Sequence, residues 1–316
     1  MLSRVAESIY WHNRYIERVE NIARFVDVNL NLMIELPPDF GEQWQPLIQT
    51  SGEEATFKQL YATPSKENVI RFLTFDRSHN NSLLSCLILA RENARGVRER
   101  ISTELWEQVN QLYWMVKDAA PKSEWSTEEL FLFFEKIKKE CYVMSGIADN
   151  TLSYSEEWHF ARVGKFLERV DQLSRILDVK FYYLLPKGKG QSIATTIDLI
   201  QWRAVLRSIS AEEMYRREYG ILNPMRIAEF LILDPLFPRS IRHGLTQLQD
   251  ALLKITGNHS GSFSLPIEKT VGRLKTNLDY IEIDEIFNFG LHEYLVRIQT
   301  RLDEAGSHIY DSFFAI

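Results

Sequence analysis

Residues 15–24, Tyr15-Ile16-Glu17-Arg18-Val19-Glu20-Asn21-Ile22-Ala23-Arg24, return in altered form as Phe166-Leu167-Glu168-Arg169-Val170-Asp171-Gln172-Leu173-Ser174-Arg175, with Glu168 lying 151 residues after Glu17. The match continues to Asp27-Val28 against Asp178-Val179. Beyond this first segment the spacing becomes 158 residues, from Trp44 and Trp202 through Tyr61 and Tyr219, Phe72-Leu73 and Phe230-Leu231, Asp76 and Asp234, Ser82 and Ser240, to Leu87 and Leu245. The single change of spacing falls where the second half carries Pro186-Lys187-Gly188-Lys189-Gly190. An insertion in a connector leaves that trace, and chance alignment of unrelated helices would not hold register across turns. The sequence therefore reads as two tandem, pseudo-symmetric repeats, 1–150 and 151–316, packed as one compact unit.

Each repeat reads as helical. Ile16, Val19, Ile22, Ala23, Val26 and Leu30 recur at steps of three and four, which is one stripe of a helix. Periodic segments run over 2–34, 79–100, 102–119, 127–149, 154–185, 238–256 and 285–314, and alternating strand patterns are nearly absent. Ser126-x-x-Glu129, Ser153-x-x-Glu156 and Ser210-x-x-Glu213 have the form of capping boxes at helix starts. Pro37-Pro38 and the Pro186–Gly190 stretch break the chain. The latter lacks the preceding strand and the Gly-Lys-Ser/Thr ending of a phosphate loop, so it reads as a connector. The expected fold is an all-α helical bundle.

Composition narrows function more than it defines it. A hydrophobic content of 45% in 316 residues supplies a real core, and a net charge of −6 argues against nucleic acid as a partner. No apolar run is long enough for a membrane span, Arg4, Glu7 and Arg14 interrupt any signal-peptide core, and two cysteines permit no disulfide framework. A cytoplasmic location is the expectation, with Cys86, inside an apolar run, a buried inert thiol.

The polar stripe of the first helix, Arg14, Glu17, Arg18, Asn21 and Arg24, has its counterpart in Lys165, Glu168, Arg169, Gln172 and Arg175. One reading is a solvated face laced with weak local ion pairs. The other is a seam between the repeats, where carboxylates orient guanidinium groups toward an anionic ligand. Retention of Glu-Arg and the later Arg in both copies brings the second reading level with the first.

A second polar cluster holds Arg91, Arg95 and Arg98 on one helical face, with Glu92, Asn93 and Glu99 beside them. It is either an exposed charged helix or part of a site, and its absence from the matched stretch 249–255 points to the first half as the binding side. The turns Asp76 to Ser82 and Asp234 to Ser240 read as structural, with Ser82 and Ser240 as caps and Arg239 placed to help hold an anion.

No nucleophile, zinc-protease, Walker or dinucleotide signature is present, so no catalytic residue is assigned. Glu156-x-x-His159 has the spacing of a di-iron ligand pair but stands alone, so no metal is expected. His12 and His159 each follow a tryptophan without matching in the repeat, and read as packed or capping histidines.

Leu2-Ser3-Arg4-Val5-Ala6-Glu7, Tyr10-Trp11 and Arg14-Tyr15-Ile16-Glu17-Arg18-Val19-Glu20-Asn21 resemble the start of the bacterial alpha-E proteins, an all-helical family named for its Glu-Arg motif. Ala90-Arg91-Glu92-Asn93-Ala94-Arg95, Ile101-Ser102 with Glu104, Trp106 and Glu107, Leu206 to Ala211, and Phe230 to Asp234 with Phe237 to Ser240 extend the resemblance over nearly the whole chain. It departs at His12-Asn13, where a glycine before the arginine is common, and at Lys165, which replaces an arginine.

The resemblance implies a partner, a circularly permuted ATP-grasp protein, often with a transglutaminase-like peptidase. ATP and Mg would then belong to that partner, with no cofactor in this chain. This protein would be an accessory or substrate-binding component of a system that forms amide bonds or modifies peptides, an enzyme of that system, or a helical scaffold. Under the first reading an anionic peptide or small molecule would be held by Arg18, Arg169, Arg91 and Arg95.

Overall fold

The computed structural model describes residues 2–37, 43–184 and 196–315. Among them are fifteen α-helices and no strand. In chain order they are α1 (Ser3–Glu35), α2 (Gln45–Ser51), α3 (Glu54–Leu60), α4 (Lys66–Thr74), α5 (Leu83–Gly96), α6 (Thr103–Ala119), α7 (Thr127–Thr151) and α8 (Glu156–Leu184). Then follow α9 (Thr196–Ser208), α10 (Glu212–Tyr219), α11 (Pro224–Leu233), α12 (Ile241–Thr256), α13 (Pro266–Tyr280), α14 (Ile283–Phe289) and α15 (Leu291–Ile309). A 3-10 turn at Arg98–Arg100 follows α5, and a π-helical turn at Tyr310–Phe314 closes the described chain.

The two longest helices, α1 and α8, form the centre. α1 packs on α8, α5, α7 and α9, and α8 packs on α1, α12 and α15. One apolar core gathers Val19 to Leu30 of α1 with residues of α2 to α7. The other gathers residues 160–314 and takes in Val5, Ala6, Ile9 and Tyr10 from the start of α1 and Val97 from just after α5. So α1 serves both cores, one with each end. The closest approach is at Gly164 of α8, where a Cβ would collide with the Tyr10 backbone carbonyl. Only glycine lets the two backbones come that near.

Helix starts follow the expected chemistry in several places. Ser82 Oγ accepts from the Ser85 amide at 3.2 Å and Ser240 Oγ from the His243 amide at 3.0 Å. Ser126 and Glu129 form the expected reciprocal box at the start of α7. Two expected boxes do not form. α8 begins at Glu156, so Ser155, not Ser153, precedes it. Ser210 lies outside α10, with a left-handed φ of 55°, in the position past the end of α9 where glycine is usual. The segment read as 285–314 is divided at Gly290, whose φ of 110° separates α14 from α15. The Pro186–Gly190 connector lies outside the described residues.

Candidate functional site

The Glu-Arg motifs meet where α1 and α8 run side by side, and they pair crosswise. Glu17 accepts from Arg169 through both oxygens, at 2.7 and 2.8 Å. Glu168 accepts from Arg18 at 2.6 and 2.9 Å and from Arg14 at 2.9 Å. Neither glutamate pairs with the arginine beside it in sequence. Both carboxylates are buried, Glu17 at 2% exposure and Glu168 at 0%.

Burial alone would raise their pKa values. The surrounding cations outweigh it, Arg169 and Arg239 at Glu17 and Arg18 and Arg14 at Glu168, and hold each carboxyl at about 2. Groups so placed stay ionised at neutral pH and cannot donate a proton as general acids. The arrangement is a lock: removing one partner would leave a buried charge uncompensated.

Further pairs brace it. Arg239 reaches Glu20, Glu17 at 3.5 Å and Asn21 at 3.4 Å. Arg24 bonds Glu20 at 2.7 and 3.0 Å and Ser210 at 2.6 Å, and also meets Tyr142. Arg18 donates to Asn81, Arg169 to the Pro238 carbonyl at 3.3 Å, and Arg175 to Asp171 at 3.0 Å.

Beside the lock, between α1, the end of α5, α7, α8 and α12, lies a cleft of about 760 Å³. That is the size of a small-molecule site. Its wall from α1 carries Ile9, His12, Asn13, Ile16, Glu17 and Glu20; α7 adds Met144, Ser145, Ala148 and Asp149; α8 adds Trp158, Arg162, Lys165 and Phe166. Glu99 and Ser102 border it from the segment after α5, and His243 and Gln247 from α12.

Two cations on its wall lack an ionic partner among the described residues. Lys165 Nζ donates only to Ser145 Oγ at 3.3 Å, and Arg162 bonds the Gln247 side-chain oxygen. Burial lowers the pKa of both. His12 Nδ1 donates to the Ala90 carbonyl at 2.9 Å, which leaves Nε2 as an acceptor, and burial lowers its pKa.

The opposite side of the lock is tighter. A pocket of about 310 Å³ is bordered by Arg14, Arg18, His79, Asn81, Gln172 and Arg175, and one of about 300 Å³ by Tyr10, Arg14, Asp171 and Phe314. Phe314 packs on Tyr10 with ring centroids 5.3 Å apart.

The residues singled out in the sequence are thus dispersed. Glu17 and Glu99 border the cleft, Arg18 and Arg175 border the 310 Å³ pocket, and Arg24, Glu168, Arg169 and Arg239 are committed to buried pairs. The Arg91 cluster points elsewhere. Arg91 bonds Asn110 at 2.6 Å, Arg91 and Arg98 stack over Trp106, and Arg95 stays 67% exposed beside Glu92. Asn93 bonds the Leu89 carbonyl at 2.8 Å, and Ser240 caps α12. Arg162, Lys165, Ser145 and Asp149 were not singled out as site residues. For Lys165 a signal was available: it is a lysine at the position matched to Arg14. Among the described residues no group of three or more His, Cys, Asp or Glu is placed to hold a metal ion. No described helix is long and apolar enough to cross a membrane.

An all-α protein whose central helices exchange Glu-Arg pairs is the class defined by this geometry. The chain belongs to the Alpha-E family, described as a predicted alpha-helical domain with a conserved ER motif, which it matches over residues 1–314. It is similar to uncharacterised proteins of Mycobacterium bovis and Mycobacterium tuberculosis, at 23% identity over 93% of this chain. The chain spans only 34% of the length of those relatives. No solved structure matches it.

Proposed function

We propose that this protein is the substrate-binding component of an amide-bond-forming or peptide-modifying system. Its ligand sits in the cleft beside the Glu-Arg lock, and its partner is a circularly permuted ATP-grasp protein that carries the ATP and Mg. The carrying observation is the 760 Å³ cleft, with Arg162 and Lys165 uncommitted on its wall. The partnership is supported by the family resemblance and by the relatives, in which a region like this chain occupies about a third of a longer polypeptide. A transglutaminase-like peptidase is the second partner in this reading, the cytoplasm is the location, and the two halves are diverged copies of one repeat.

The geometry shifts the ligand away from the motif itself. Arg18 and Arg169 already spend their donors on Glu168, Asn81, Glu17 and Pro238, so the motif serves as framework and the adjacent cleft as site. For the same reason an acid-base role for Glu17 or Glu168 is disfavoured. The test is affinity capture of the tagged protein from its native host, with mass spectrometry of proteins and small molecules, followed by ligase assays with and without the purified protein. Co-capture of the ligase and altered products are expected. No interaction together with unchanged products would sink the proposal.

A further inference from the structure

The cleft wall carries uncommitted charges of both signs. Lys165 and Arg162 are three residues apart on one face of α8 and make no ion pair among the described residues. Asp149, exposed on the last turns of α7, makes no ion pair among the described residues although its charge acts on both cations, and Glu99 likewise borders the cleft without a paired cation. Ser145, which receives the Lys165 hydrogen bond, lies one helical turn before Asp149 on the same helix, about 6 Å along its axis.

The remaining carboxylates on the wall are paired, Glu17 with Arg169 and Arg239, Glu20 with Arg24 and Arg239, and Glu157 with Arg100. The buried cluster around them holds Arg24, Arg169, Arg239 and Lys165 against only Glu17 and Glu20. Burial above all, with Arg169 and Arg24 beside it, lowers Arg239 to about 10 although both carboxylates are close.

We propose that the cleft takes a zwitterion of the amino acid or short-peptide class. Its carboxylate is held by Lys165 and Arg162, and its ammonium group faces Asp149 at the mouth. Ile9, Ile16, Val97, Leu105 and Trp158 give its body an apolar bed. The inference rests on the cleft being the ligand site and adds which charges the ligand must carry.

Purified full-length protein is screened by thermal shift against free amino acids and a dipeptide library, and the best binder of each kind is measured by calorimetry. Which kind binds tighter separates the two sources of this chemistry. The best binder is then compared with its C-terminal amide and its N-acetyl form. Amidation is expected to weaken binding by about tenfold or more, the loss of a charge-assisted contact. Lys165→Met and Arg162→Gln should each produce a similar loss for the free acid and little change for the amide. Asp149→Asn should weaken only ligands with a free amine.

Equal affinity for acid and amide, unchanged binding by both α8 variants, or no binding by any amino acid or dipeptide would overturn the assignment. Ala148→Trp, which fills the cleft, separates the two levels of the argument. Charge-blocked ligands that bind and are displaced by Ala148→Trp overturn the zwitterion and leave the cleft reading standing. Ligands that bind Ala148→Trp as well as the native protein overturn both.

Discussion

The two sides of the α1–α8 crossing start from matching residues and end differently. On one side Arg14 reaches Glu168 and shares it with Arg18, while Tyr10 and Phe314 occupy the space beyond. On the other side Lys165 stands at the matched position, and the equivalent contact to Glu17 is absent. Arg239 takes up that role from the far side. Its matched position on the first side is Asn81, which receives a hydrogen bond from Arg18. A crossing can therefore keep its lock with different cations, and the choice decides whether a side chain is left over to face a cavity. The side served by Arg14 has two smaller pockets of about 310 and 300 Å³; the side with Lys165 keeps the 760 Å³ cleft and a spare amine.

The largest effect should come from removing Glu168, because Arg14 and Arg18 pair with no other carboxylate among the described residues. Glu168→Ala is expected to destabilise the fold by roughly 3–5 kcal/mol, the range for breaking a buried pair. Glu17→Ala should cost less, because Arg239 retains Glu20. Urea denaturation of both variants measures the difference, and equal losses would show that the two sides are energetically alike.

The next effect is acid sensitivity. Both glutamates have folded pKa values of about 2 against an ordinary 4.5, so the folded state resists protonation that the unfolded chain accepts. Their contribution is fully present above about pH 4.5 and is lost as pH falls toward 2, on the order of 3 kcal/mol for each fully buried group. Urea midpoints measured from pH 6 to pH 2 should fall most steeply in that window. Glu168→Gln should make the slope shallower, with Glu17 and Glu268, also held at about 2, carrying the rest, and an unchanged slope would mean that other groups govern acid unfolding.

The smallest effect on stability, and the sharpest on the comparison, is expected from Lys165→Arg. The longer side chain can make the Glu17 contact that Arg14 makes with Glu168. Stability should change by no more than about 1 kcal/mol, while affinity for the best cleft ligand falls. Unaltered ligand binding with an arginine at this position would remove Lys165 as the reason that this side is open.

Much of this is legible in the sequence. The stripe on α1 and its counterpart on α8 follow from three- and four-residue spacing, and Ser82, Ser240 and Ser126 announced their helices through side-chain chemistry. The short helices α2, α3 and α4 escaped notice because seven to nine residues hold too few turns for a period to register. Crosswise pairing was not legible. Spacing along one helix ranks local partners such as Glu20 with Arg24, and it carries no information about an arginine some 150 residues away. The Arg91, Arg95 and Arg98 face was legible as a face, but periodicity does not say what a face looks onto, and Trp106 proved to be the answer for two of the three. Lys165 was visible only as a break in a match, which became meaningful once its neighbours were known.

The crosswise lock also sets an order of events during synthesis. Glu17 leaves the ribosome long before Arg169 has been made, and the Val5 to Tyr10 end of α1 belongs to a core whose other buried members, Val97 apart, lie in residues 160–314. Until α8 arrives, that carboxylate has to stay hydrated and that end of α1 has little beyond α5 and Val97 to pack on. Docking of α8 is the step that dries the crossing, and a nascent first half waits, wet along one face, for the second.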